Sequence, residues 1–102
     1  MVARIASKPL IDVKKRIEKA LSEKHREHFG SSAKVRVEDR GYKDYLNLFV
    51  TSDKFRGMLP TDRAVLIWKW LRASLPSRDH SRIAALLPLT SAEERRIPGN
   101  GH

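Results

Sequence analysis

The sequence predicts an α+β domain in two layers, three strands packed on helices, in the order α-β-β-α-β-α. Three observations support this. An amphipathic helical pattern fills the first part of the chain, and two period-two runs joined by a short turn then make a hairpin. A second helical pattern separates that hairpin from a third apolar run. At 102 residues the chain forms one domain with one modest core.

Residues 1–8 read as a flexible arm, residues 9–96 as the domain, and residues 97–102 as a flexible tail. The first helix runs from Pro9, suited to a first turn, to Phe29. Leu10, Val13, Ile17, Ala20, Leu21 and then Lys24/His28 share one face, with Lys15, Lys19, Ser22 and Arg26 opposite. Gly30 ends it. His28 reads as half-buried at the helix C-terminus, where positive charge is favourable. Lys34 to Glu38 alternates as a half-buried strand, and Asp39 to Asp44 is the turn. Tyr45 to Thr51 is the second strand, with Leu46, Leu48 and Val50 on one face.

Pro60-Thr61-Asp62 opens the second helix, with Thr61 or Asp62 as its cap. Ala64, Ile67, Trp68, Leu71 and Leu75 make its core face. Trp70 sits about 200° from Trp68 around the helix, so Leu66 and Trp70 form a second apolar surface. That surface suits a dimer contact, a partner, or cover by another segment. Pro76-Ser77 closes the helix. Ile83 to Leu89 is the third strand, with Pro88 requiring an edge or a strand end. Ser91 caps a short final helix.

Lys and Arg outnumber Asp and Glu by 21 to 12, a net charge of +9. That excess suits polyanionic partners, although a solvated basic shell has the same composition. Seven cations stand out as a candidate nucleic-acid surface: Lys54, Arg56, Arg63, Lys69 and Arg72 in the turn and second helix, and Arg40 and Lys43 on the hairpin tip. They form one phosphate-tracking surface only if tip and turn share a side, with Tyr42 then placed to stack.

Catalytic and metal chemistry has little support. The chain has no cysteine, which excludes disulfides, thiolate metal sites and thiol nucleophiles. Ser52 beside Asp53 lacks a His in sequence to serve as base and reads as turn chemistry. Asp39 and Asp44 each have a neighbouring cation and read as a charged turn. His25 and His28 are spaced i, i+3, two donors that read as a solvated helix end. No metal or other cofactor is expected, nor enzymatic activity. No stretch reaches membrane-span length and no secretory signal is present, so a cytoplasmic location is expected.

The segment Ser52-Asp53-Lys54-Phe55-Arg56-Gly57-Met58 resembles the Ser-x-x-Phe-x-Gly signature of the BolA-like family. The helix Arg63-Ala64-Val65-Leu66-Ile67, the strand Ile83-Ala84-Ala85-Leu86 and Thr90-Ser91-Ala92-Glu93-Glu94 follow in the family's order. The resemblance implies a type II KH-like arrangement, a three-stranded mixed sheet backed by helices. It also implies a regulatory role, either in transcription through nucleic-acid binding or with a monothiol glutaredoxin in iron–sulfur homeostasis. The departures matter as much. Ala84 stands where the family's strand has its signature His, Ala64 where its helix often has another, and the first hairpin loop carries neither His nor Cys. An alanine has no donor atom, so the resemblance implies an apo complex with a glutaredoxin, unless His80 substitutes. The expected state is a monomer or weak homodimer.

Overall fold

The computed structural model describes residues 8–40 and 44–97. The arm and tail expected at the termini lie outside them, except for Lys8 and Ile97. The elements are α1 (Lys8–Phe29), β1 (Lys34–Asp39), β2 (Leu46–Thr51), a 3-10 turn (Asp53–Phe55), α2 (Pro60–Ser74), α3 (Ser77–His80), β3 (Ile83–Leu89) and α4 (Ser91–Arg95). The three-stranded sheet has the order β1-β2-β3, antiparallel between β1 and β2 and parallel between β2 and β3. This mixed, three-stranded, two-layer α+β architecture is the one the BolA-like resemblance implies.

Alternation along the strands decides which side is buried. Val37, Leu46, Leu48, Val50 and Ile83 are buried with Leu10, Val13, Ile17 and Leu21 of α1 and Ile67 and Leu71 of α2. The other sheet face carries Lys34, Arg36 and Glu38 on β1, Asn47, Phe49 and Thr51 on β2, and Ala85, Leu87 and Leu89 on β3, as the register pairs them. There the Arg36 guanidinium lies 4.3 Å from the Phe49 ring centroid, a cation–π contact that covers an otherwise half-bare ring.

β3 is an edge strand, as Pro88 requires. The Pro88 carbonyl accepts a 3.3 Å hydrogen bond from Arg63 Nη1. A residue without N–H and a carbonyl already engaged blunt this edge against further strand pairing.

Several local expectations are corrected. The N-cap of α2 is Leu59, with no side-chain cap and Pro60 in the first turn, rather than Thr61 or Asp62. A proline needs no capping partner for its missing N–H, so the cap falls two positions before Thr61. The cap of α4 is Thr90, not Ser91: its hydroxyl accepts from the Glu93 N–H while Glu93 accepts from the Thr90 N–H. This reciprocal pair satisfies two amides that helix starts leave open. Gly30 does end α1, at φ +73 and with its N–H on the Arg26 carbonyl.

The buried face of α2 also differs. Arg63, Ile67, Trp70 and Leu71 are buried, whereas Leu66 and Trp68 are only partly so. The helix has two neighbours, α1 and the sheet, and its buried arc is rotated toward α1. Trp70 is 7% exposed and meets His25, His28 and Phe29 with ring centroids 5.7–6.2 Å apart. Leu66 and Trp70 are therefore not the open partner surface that the helical wheel suggested.

The short helix α3 has no counterpart among the elements expected from sequence. Asp79, 1% exposed, holds it to α1 through two parallel bonds from Arg16, Nε to Oδ2 at 2.8 Å and Nη2 to Oδ1 at 3.0 Å. The Arg16 hydrogen bond outweighs desolvation and lowers the Asp79 pKa. A lowered folded-state pKa stabilises above the ordinary aspartate value and loses that contribution as pH falls through the folded value. Urea midpoints measured from about pH 5 down to about pH 2 should fall more steeply for the wild type than for Asp79→Asn. Equal slopes would remove this ion pair from the acid limb.

Candidate functional site

Topology separates Arg40, beside the hairpin, from Lys54 and Arg56, in the turn, at opposite ends of the sheet. β1 finishes and β2 begins at the hairpin end, which also holds α3. β2 and β3 finish together at the other end, beside the close of α1, the Ser52–Met58 turn, the start of α2, and α4. Arg40 therefore stands a strand length from Lys54 and Arg56, about 20 Å for a six-residue strand. Arg40 and the turn do not form one surface. Lys43 and Tyr42 lie outside the described residues.

Arg63 also drops out of the predicted surface. It is 5% exposed, donating to Glu93 Oε1 at 2.6 Å and to the carbonyls of Met58 at 3.0 Å and Pro88 at 3.3 Å. The guanidinium fork thereby joins the turn, β3 and α4, a use its planar donor array suits. No periodicity argument separates such an arginine from an exposed one.

Lys54, Arg56, Lys69 and Arg72 are all exposed. Lys54 and Arg56 rise from the turn, whose Gly57 has φ +86, a backbone favouring glycine. Lys69 borders a groove between α1 and α2 with Lys24, His28 and Trp70. Arg95, exposed on α4, joins the turn end and was not singled out from sequence. It and Arg56 both act on Asp53, whose carboxyl pKa is lowered first by the Ser91 backbone N–H, then by the Ser91 hydroxyl, and then by these two cations. The signal for Arg95 lies in the Thr90–Glu94 segment, which returns the chain to the Ser52 turn.

Beneath this rim is a pair that sequence reasoning missed. His25 is fully buried and His28 exposed, the reverse of the expected solvated pair and half-buried His28. His25 continues the Ile17–Leu21 stripe by one more i+4 step, which was its legible signal. Its Nδ1 faces the Ser31 carbonyl and its Nε2 lies 2.7 Å from Ser52 Oγ. A carbonyl only accepts, so Nδ1 carries a proton. In the neutral ring Nε2 then accepts the Ser52 hydroxyl proton. Ser52 Oγ in turn accepts the Lys54 N–H at 3.1 Å and caps the 3-10 turn. A histidine does therefore stand against Ser52, contrary to the expectation from sequence. The pair is enclosed by Phe29 and Phe55, at ring distances of 4.9 and 6.2 Å from His25. It fastens α1 to the turn.

Above Ser52 opens a recess of about 390 Å³, bordered by Ser31, Ser32, Thr51, Asp53, Lys54 and Ser91. Thr51 Oγ1 donates to Glu94 Oε2 at 2.6 Å, and Lys34 Nζ reaches Glu94 Oε1 at 3.1 Å. The Thr51 hydroxyl chiefly lowers the Glu94 pKa.

The metal-related positions sit elsewhere. Ala84 is the exposed extra residue where the β2–β3 register shifts, since Leu46 pairs with Ile83 and Asn47 with Ala85. His80 closes α3, at the hairpin end. Among the described residues no group of three or more His, Asp or Glu side chains is arranged to hold a metal ion. Asp44 adopts φ +58 with its carboxylate 4.0 Å from Arg82, consistent with a charged turn. Among the described residues no helix is long and apolar enough to cross a membrane.

No family model matches the chain. No curated protein matches it either. Among solved structures, BolA1 from Arabidopsis thaliana is similar, with a TM-score of 0.49 and 21% identity over 76% of this chain and 94% of that one. The architecture described above rests on this chain's own element order and strand pairing.

Proposed function

We propose that this chain is a non-catalytic, nucleic-acid-binding regulatory domain that contacts phosphates with the turn end of its fold. The observation carrying this reading is the grouping of exposed Lys54, Arg56 and Arg95 around the Ser52–Gly57 turn. Lys69 and Arg72 extend positive charge along α2, and a net charge of +9 favours encounter with a polyanion. Arg63, buried and engaged by Glu93 and two carbonyls, is left out of this surface, and Arg40 is too distant to share one site with the turn.

Salt titration tests this. The logarithm of DNA affinity should fall linearly with the logarithm of salt concentration. Lys54→Glu with Arg56→Glu should lower affinity and flatten the slope by about 0.7–0.9 for each phosphate that is no longer neutralised. Arg40→Glu should leave the slope unchanged. Negligible affinity at low salt, or affinity that ignores salt, rejects the reading.

Exposed Leu59 and Val65, 65% and 64% accessible beside α2's cations, favour a second reading: an adaptor docking on a monothiol glutaredoxin. That complex would form without a metal ligand from Ala84. A new cluster absorption spectrum that depends on His80 would contradict the apo form.

A further inference from the structure

Three hydroxyl protons of the recess beside Lys54 are directed inward. Thr51 donates to Glu94, Ser91 Oγ donates to Asp53 Oδ2 at 3.2 Å, and with the His25 ring neutral Ser52 donates to it. What these three oxygens turn outward is lone pairs. Asp53 adds a carboxylate, kept charged by the Ser91 N–H at 3.0 Å. Ser32 accepts from Arg26 Nη2 and keeps its own proton free, so with Ser31 and Lys54 it makes a donor side facing the acceptor side of Thr51, Ser52, Asp53 and Ser91. A phosphate placed against Thr51, Ser52, Asp53 and Ser91 would meet oxygen lone pairs and a carboxylate. It belongs on the rim, with Lys54, Arg56 and Arg95.

An occupant of that acceptor side must therefore bring hydrogen-bond donors, yet a cationic donor is repelled by a protein of net charge +9. An anionic ligand with neutral donor groups meets both conditions. We infer that the recess receives the amino-bearing edge of an unpaired nucleobase, from a single strand whose phosphates lie on the Lys54–Arg56–Arg95 rim. This rests on the nucleic-acid reading above and specifies its substrate. In a duplex those amino groups are engaged in base pairing, and a base inside the recess has to be splayed out of the helix. The His25–Ser52 pair has a part in this, because it fixes the direction of the one hydroxyl at the floor.

The experiment compares oligodeoxycytidine with oligodeoxythymidine of equal length by fluorescence anisotropy on the full chain. A duplex and a salt series run alongside. Cytosine carries an exocyclic amine, whereas thymine offers a single imide N–H. Oligodeoxycytidine should bind about fivefold or more tightly than oligodeoxythymidine, the effect of about one net hydrogen bond. Ser91→Ala removes one outward oxygen but leaves the Ser91 N–H bond to Asp53 and the Thr90–Glu93 cap in place. It should bring the two affinities together at an unchanged salt slope. Lys54→Ala should weaken both strands equally. Equal wild-type affinity for the two strands, or tighter binding of duplex, overturns the single-strand inference while the nucleic-acid reading stands. Absence of salt-dependent binding to any of the three overturns both.

Discussion

Trp70→Ala should lower the unfolding free energy by about 3–5 kcal/mol, the range for truncating a large buried aromatic side chain. The ring is 7% exposed and sits against His25, His28 and Phe29 where α2 crosses α1. Its removal leaves a cavity between the two helices. For a domain of ordinary marginal stability, that is a large part of the total. Urea denaturation reads the effect, and sedimentation of wild type and variant separates it from an interface role. An unchanged denaturation midpoint with a drop from dimer to monomer would return Trp70 to the surface role that its helical position suggested.

Arg63→Ala is the second large change. It strands the carbonyls of Met58 and Pro88 and leaves Glu93 without its 2.6 Å partner. Stability should fall by about 2–3 kcal/mol, less than for a fully buried pair because Glu93 is partly open to solvent. The salt slope of DNA binding, taken where the variant is still folded, should not move. A variant of full stability with a slope flatter by about one phosphate would make Arg63 a ligand of DNA instead. The comparison with Lys54→Glu and Arg56→Glu is direct, since all three positions looked alike as basic residues near one turn.

How far the sequence can be read differs between the core and the site. Apolar residues at helical spacing, from Leu10 to Leu21, did become the buried stripe of α1. Leu46, Leu48 and Val50 did turn to one face of β2. These are local periodicities, and burying apolar area needs no knowledge of the particular neighbour. The Ser52-to-Gly57 signature likewise became a capped turn with Phe55 fully buried. The site was less legible. Exposure of a cation depends on which element passes over it, so Arg63 and Arg56 could not be told apart. Distance between Arg40 and Lys54 depends on the ends of β2, which pattern alone does not relate to a shared surface. His25 was misread because two histidines at i, i+3 were treated as one unit, whereas the helix points only one of them inward.

The sequence by itself determined the α+β class, the order of the strands and long helices, most of the core and the turn at Ser52. All of these follow from spacing along the chain and from the backbone preferences of proline and glycine. Only the tertiary structure decided that Trp70 is enclosed, that α3 is clamped to α1 by Arg16 and Asp79, and that His25 meets Ser52 across 27 positions. It also decided that Arg95 shares a rim with Arg56. Each of these joins residues from different elements, and the physical reason is common to them: a contact between distant segments is set by how helices and sheet pack, which no local period encodes.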